Sequence, residues 1–100
     1  MSFTQKLDGL VSKFQELEKK LLDPSSLGQT FAKISKEHSD LVPVVAAIEE
    51  YRKSQKELAD TVEMLASTTD PEMKEMMEVE KFDLEKKVPQ LEQQIKVSLL

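Results

Sequence analysis

The sequence has 100 residues and no cysteine, with 39% apolar and 33% charged side chains. This length allows one small domain with a core of a few helices, and the lack of cysteine excludes disulfides and thiolate metal sites. The formal net charge of −5 argues against naked nucleic acid as the main partner, because phosphate binding requires concentrated basic side chains.

The composition also predicts the fold class. Two glycines and four prolines are too few for the frequent turns of a strand-rich fold, so helices are expected throughout. We predict an all-α fold: an antiparallel helical bundle of three to four helices with a long coiled-coil-like hairpin, forming one domain over residues 1–100. The chain start lacks a signal peptide's apolar core, and no apolar run approaches the ~18 residues of a membrane span. We therefore expect a soluble protein. The lack of cysteine suits the reducing cytoplasm, and we expect a monomer.

The first predicted helix covers residues 2–22. Apolar side chains recur along it at alternating spacings of three and four, which is the pattern of one buried helical stripe. Ser2 and Gln5 form a candidate capping box at its start, and Pro24 ends it. The stripe consists of Phe3, Leu7, Leu10, Val11, Phe14, Leu17 and Leu21.

The second and third predicted helices cover residues 27–39 and 41–66. Ser26 is the predicted cap of the second helix. Pro43 interrupts the apolar pattern, and whether it kinks or breaks a helix is left open by the sequence alone. We take Asp40 as the cap of a separate third helix, with Pro43 in its first turn. The third stripe is Leu41, Val44 or Val45, Ile48, Tyr51, Gln55, Leu58, Val62 and Leu65.

The fourth predicted helix covers residues 71–96 and doubles back on the third. Asp70 suits its N-cap and Pro71 its first position, where a missing N–H is tolerated. Pro89 is expected to kink or interrupt this helix near Glu85. Its inward stripe is Met73, Met77, Glu80, Leu84, Val88, Leu91 and Ile95.

No residue pattern predicts catalysis, a cofactor or a metal site. His38, the only histidine, has no convergent ligands in the sequence and is predicted to be an exposed residue near a helix end. Helix four carries more apolar side chains than one stripe can bury. We expect the surplus residues Met76 and Phe82 to pack against a neighbouring helix, with a partner-binding face as the alternative.

Three stretches carry a family resemblance: Glu50–Lys53 (EYRK), Thr69–Met76 (TDPEMKEM) and Leu91–Leu100 (LEQQIKVSLL). They resemble the N-terminal helical domain of the bacterial peptide chain release factor 1 family, the class I factors that read UAA and UAG. The likeness covers the whole chain and is dense from about residue 50 onward. Pro89 departs from the uninterrupted helix that the resemblance implies.

The resemblance implies a domain of a translation termination factor without the later codon-reading and catalytic domains. The Gly-Gly-Gln and Pro-x-Thr motifs of such factors are absent from this chain. The implied partners are the ribosomal stalk base with protein L11, and the class II release factor GTPase. The turn between helices three and four would then be the far tip, so Asp70, Glu72 and Met76 are candidate partner-binding residues. The alternative is a free-standing coiled-coil adaptor or chaperone-like hairpin.

Overall fold

A computed structural model describes residues 2–100, and every regular element in that range is helical. The α-helices are α1 (Phe3–Leu21), α2 (Phe31–Ser67) and α3 (Pro71–Ser98). Two short 3₁₀ turns, Pro24–Ser26 and Gly28–Thr30, lie between α1 and α2. The predicted all-α class is confirmed. The chain divides into two compact units, one running up to Ile48 and the other covering Glu49–Leu100, and α2 contributes residues to both.

The predicted start of α1 is confirmed down to its hydrogen bonds. The Gln5 N–H donates to Ser2 Oγ at 3.1 Å, and the Ser2 N–H donates to Gln5 Oε1 at 2.9 Å. This capping box satisfies two backbone donors that have no partner within the helix. Lys19 and Lys20 lie in the last turn, where positive charge opposes the negative end of the helix dipole.

The connection between α1 and α2 differs from the prediction. Ser26 does not cap a helix from residue 27, because it lies inside the first 3₁₀ turn and its hydroxyl donates to the Asp23 carbonyl oxygen at 2.8 Å without accepting a capping N–H. Gly28 has a φ of 57°, a left-handed conformation that cannot belong to a right-handed α-helix. The α-helix therefore begins only at Phe31.

Helix α2 is continuous over 37 residues, so the predicted break into helices 27–39 and 41–66 is wrong. Pro43 lies inside it, and Asp40 is not an N-cap. The Asp40 carboxylate instead accepts from Lys36 Nζ at 3.3 Å, one helical turn earlier. An internal proline costs about 3 kcal/mol. We attribute the continuity to burial of Val45 and Ile48 directly after Pro43, which offsets that cost.

Within the first unit, α1 lies antiparallel to the beginning of α2. The Phe14 and His38 rings stack with centroids 4.5 Å apart and planes 15° apart. Lys13 Nζ lies 3.9 Å from a Glu37 carboxylate oxygen on the same pair of helices. All seven predicted stripe residues of α1 are buried or half-buried, and Leu7 and Leu17 are the most deeply buried.

Within the second unit, the end of α2 and α3 form an antiparallel hairpin. Lys87 Nζ donates to Glu50 Oε1 at 2.6 Å, which joins two residues 37 positions apart. Met77, Leu84 and Ile95 are buried on α3, as the stripe predicts. The predicted Glu80 is exposed, whereas Lys81 is half-buried, because the inward positions run 77, 81, 84 and 88.

The predicted inward register of α2 is wrong at two positions in this unit. Gln55 and Val62 are exposed, while the preceding residues Ser54 and Thr61 are buried. The inward row therefore runs 51, 54, 58, 61 and 65, with alternating spacings of three and four. The sequence favoured Val62 because it is apolar, but helical geometry sets which position faces inward.

Pro89 does not interrupt α3, which remains helical from Pro71 to Ser98. Of the two predicted effects of Pro89, the interruption near Glu85 is therefore wrong, and a kink there stays a prediction. Both Glu85 and Pro89 are exposed. The Glu85 carbonyl has no helical donor at position 89, and at this exposed position of the helix water can hydrogen-bond it.

Candidate protein interface

The turn between α2 and α3 is held by local hydrogen bonds. The N–H and the hydroxyl of Thr68 both donate to the Met64 carbonyl oxygen, at 2.9 and 2.7 Å. The Asp70 carboxylate accepts from the Glu72 N–H at 3.1 Å, and Pro71 occupies the first helical position. Asp70 is the N-cap, as predicted. One of the three candidate partner-binding residues therefore also stabilises the start of α3.

Glu72 and Met76, the other two candidates, lie on the exposed side of α3. Glu72 is in the first turn, near the positive end of the helix dipole. Met76 is 67% exposed. The expectation that Met76 and Phe82 pack against a neighbouring helix is wrong, because Phe82 is 58% exposed.

Val79, which is 59% exposed, belongs to the same surface and was not among the predicted site residues. Met76, Val79 and Phe82 follow one another at spacings of three, so they form a row along one side of α3. Helical geometry turns Met77 and Leu84 inward and leaves this row outward. We name the α3 face by its six residues: Glu72, Glu75, Met76, Val79, Phe82 and Asp83.

The α3 face lies in a strongly acidic segment. Residues 70–85 contain seven acidic and two basic side chains, a net charge of −5. In the described part of the chain, the carboxylates of Glu72, Glu75 and Asp83 form no ion pair with a basic side chain. Their charge is available to an external partner.

The Phe82 ring already contacts one cationic side chain of the same helix. Lys86 Nζ lies 4.2 Å from the centroid of the Phe82 ring, within the range of a cation–π interaction. The ring therefore offers a surface that accepts positive charge at the end of the row.

The hairpin beside this face is joined by the Glu50–Lys87 ion pair. The hydrogen bond from Lys87 and then its positive charge lower the pKa of the Glu50 carboxyl. The hydrogen bond to Glu50 correspondingly raises the pKa of the Lys87 ammonium. Nearby on α2, burial and then the charge of Glu92 raise the pKa of the Tyr51 phenol.

The prediction that His38 is an exposed residue near a helix end is wrong. It lies inside α2, half-buried against Phe14, with Nε2 3.6 Å from a Glu18 carboxylate oxygen. Over residues 2–100 no group of three or more His, Cys, Asp or Glu side chains is placed to hold a metal ion. The same residues contain no helix that is long and apolar enough to cross a membrane.

Comparison with known proteins assigns the chain to a class. The chain belongs to the PCRF domain family, whose model matches residues 10–100. It is similar to peptide chain release factor 1 of Anaplasma marginale (strain Florida), with 42% identity over 102 aligned residues. That alignment covers 100% of this chain and 28% of the relative.

Relatives from other bacteria give the same result. Peptide chain release factor 1 of Chloroherpeton thalassium is 38% identical over 94% of this chain and 27% of its own length. That of Chlorobaculum tepidum is 37% identical over 95% of this chain and 27% of its own length. The chain thus spans little more than a quarter of these relatives. No solved structure matches it. The family resemblance seen in the sequence is confirmed.

Proposed function

We propose that this chain is the N-terminal domain of a translation termination factor, which contacts the ribosomal stalk base at protein L11 during stop-codon-directed peptide release. The observation that carries the proposal is the similarity of the whole chain to release factor 1 proteins. The domain works in the cytoplasm and has no catalytic role of its own. Peptide release then belongs to the remaining length of such factors.

The contact is made by the acidic turn and the first part of α3. Asp70, Glu72 and Met76 carry it, because Asp70 caps α3 at the turn and Glu72 and Met76 are exposed. A negatively charged tip suits a basic protein surface better than ribosomal RNA, whose phosphates it repels. A further partner of this domain is the class II release factor GTPase.

The experiment measures binding of the fluorescently labelled chain to 70S ribosomes and to ribosomes stripped of protein L11. We expect binding to intact ribosomes and a loss of about tenfold or more without L11, the size of effect expected when a specific contact is removed. Equal binding to both kinds of ribosome would refute the L11 contact.

The residues are tested with the double substitution Asp70→Asn and Glu72→Lys. Asn still caps a helix, so the substitution changes charge without removing the cap. We expect roughly tenfold weaker binding to intact ribosomes. The matched control is Asp60→Asn with Glu63→Lys, which changes the net charge equally at two exposed positions of α2. If both pairs weaken binding equally, only the overall charge matters and the assignment to the turn fails.

A further inference from the structure

The α3 face presents more apolar surface than isolated exposed residues explain. Single exposed apolar side chains are common on soluble proteins and need no explanation. Here Met76, Val79 and Phe82 are all more than half exposed and occupy successive turns of one helix. The six steps of 1.5 Å from residue 76 to residue 82 make a row about 9 Å long. Apolar side chains that are contiguous and bordered by polar residues are typical of a contact surface.

Methionine is concentrated beside this row. All four methionines after the first residue lie between positions 64 and 77, and Met64 and Met73 are exposed together with Met76. The methionine side chain is unbranched and polarisable, so it adapts its shape to a partner's apolar side chains.

The negative charge around the row indicates which kind of partner can bind. Glu72 and Glu75 lie beside the start of the row and Asp83 beside its end, and none of them has an ion-pair partner among the described residues. Nucleic acid is disfavoured because its phosphates would meet these carboxylates. A second copy of the chain is disfavoured because two such faces would bring carboxylates together.

The Phe82 ring is a second group on the α3 face that is compatible with a positively charged partner. Lys86 already lies over its ring at 4.2 Å. Because Phe82 is 58% exposed, a partner's Lys or Arg side chain can also reach it. An apolar row, flanking carboxylates and a cation-accepting ring together match a segment that is apolar on one side and basic along its edges.

We propose that the α3 face binds a basic amphipathic helical segment of a partner protein. The partner's apolar side chains cover Met76, Val79 and Phe82, and its Lys or Arg side chains pair with Glu72, Glu75 and Asp83. This is the helix-against-helix mode of peptide recognition. The inference deepens the proposed function by stating the chemistry of the partner. It rests on that function only in placing the partner on the ribosome.

The first test does not involve the ribosome. The ¹⁵N-labelled chain is titrated with a synthetic amphipathic helix of leucine and lysine, with its leucine and glutamate counterpart, and with a single-stranded RNA oligonucleotide. We expect the leucine–lysine peptide to shift the amide signals of residues 72–86, and we expect neither control ligand to shift them. Shifts centred elsewhere, equal shifts with either control ligand, or no shifts at all would overturn the inference.

The second test uses the variant Met76→Gln, Val79→Thr, Phe82→Gln, which removes the apolar row but keeps every charge. We expect its affinity for the leucine–lysine peptide and for ribosomes to fall about tenfold or more. The control is Leu22→Gln, Phe31→Gln, Val42→Thr, which makes the same kind of change at exposed apolar residues outside the α3 face. Unchanged peptide affinity in the α3 variant, or equal losses in both variants, would refute the assignment.

The two proposals fail in distinguishable ways. If the chain binds the leucine–lysine peptide through the α3 face but does not bind ribosomes, the proposed function is wrong and the inference stands. If it binds ribosomes in an L11-dependent way but the peptide does not reach the α3 face, the inference is wrong and the proposed function stands.

Discussion

Ser54 places a buried hydroxyl in the second unit without a hydrogen-bond partner. The residue is 1% exposed, and its Oγ makes no hydrogen bond with any described residue. A buried polar group left unpaired costs about 1–3 kcal/mol. We predict that Ser54→Ala raises the free energy of unfolding by about 1 kcal/mol, measured by urea denaturation with an unchanged m-value.

The control for Ser54→Ala is Ser39→Ala, at an exposed position of the same helix. Both substitutions raise helix propensity equally, by a few tenths of a kcal/mol. The excess stabilisation at position 54 therefore measures the unpaired hydroxyl. Equal effects at the two positions would mean that the Ser54 hydroxyl is hydrogen-bonded in solution.

The Glu50–Lys87 pair gives the stability of the second unit a dependence on pH. Because the folded pKa of Glu50 is lowered, its contribution is present above the unfolded value near 4.5 and is lost as pH falls through the folded pKa. Because the folded pKa of Lys87 is raised, its contribution is present below about 10.5 and is lost as pH rises through the folded pKa. The pair is therefore fully formed at neutral pH.

We predict that Glu50→Gln lowers the free energy of unfolding modestly at pH 7, and that its difference from wild type shrinks as the pH falls below 4. The pair is exposed, so added salt also reduces the difference. Urea denaturation across this pH range measures the effect, with Lys87→Gln and the double variant completing a cycle. A difference that persists at low pH would show that the substitution acts through something other than the ion pair.

Residue identity alone did not reveal which α2 positions face inward. The heptad-like spacing correctly predicts Tyr51, Leu58 and Leu65 as inward positions, but it also predicts Gln55 and Val62, where the structure buries Ser54 and Thr61. Thr61 is buried at low cost because its hydroxyl donates to the Glu57 carbonyl oxygen at 2.8 Å. Polar residues that satisfy themselves within a helix can be buried, and an apolar pattern overlooks them.

At the level of secondary structure, the sequence predicted helix ends better than helix continuity. The caps at Ser2 and Asp70 depend on residues within three positions, so local chemistry determines them. The continuity of α2 through Pro43 depends on burial of residues such as Val45 and Ile48, which a local rule for proline does not include. The start of α2 at Phe31 depends on the positive φ of Gly28. A glycine can adopt a positive φ but need not, so the sequence does not determine this start.

The N-cap of α3 should contribute measurably to stability. We predict that Asp70→Ala lowers the free energy of unfolding by about 1 kcal/mol, because the Glu72 N–H then loses its acceptor. Asp70→Ser should keep most of that stability, since a serine hydroxyl also caps. Urea denaturation of the three proteins measures both values. Equal losses for Ala and Ser would indicate that the charge of Asp70, rather than its cap, stabilises the helix.

Across the whole molecule, the net charge is confined to one unit. The residues up to Ile48 carry six basic and six acidic side chains, whereas Glu49–Leu100 carries 8 basic and 13 acidic ones. The sequence therefore revealed the acidic segment of the candidate site. It could not reveal that the α3 face is open, because a surplus of apolar residues on a helix fits either a second packed neighbour or a partner surface.

The open α3 face and the negative charge together determine how the chain behaves by itself. We predict an 11.4 kDa monomer in light scattering at pH 7, where the net charge of −5 keeps copies apart. Near the isoelectric point of about 4.9 this repulsion disappears, and the exposed row of Met76, Val79 and Phe82 should drive reversible self-association. The variant Met76→Gln, Val79→Thr, Phe82→Gln has the same charge and should stay monomeric at both pH values. If the variant self-associates as strongly as wild type, the apolar contact between copies lies outside this row. A stable oligomer at pH 7 would favour a self-assembling adaptor over a termination factor domain.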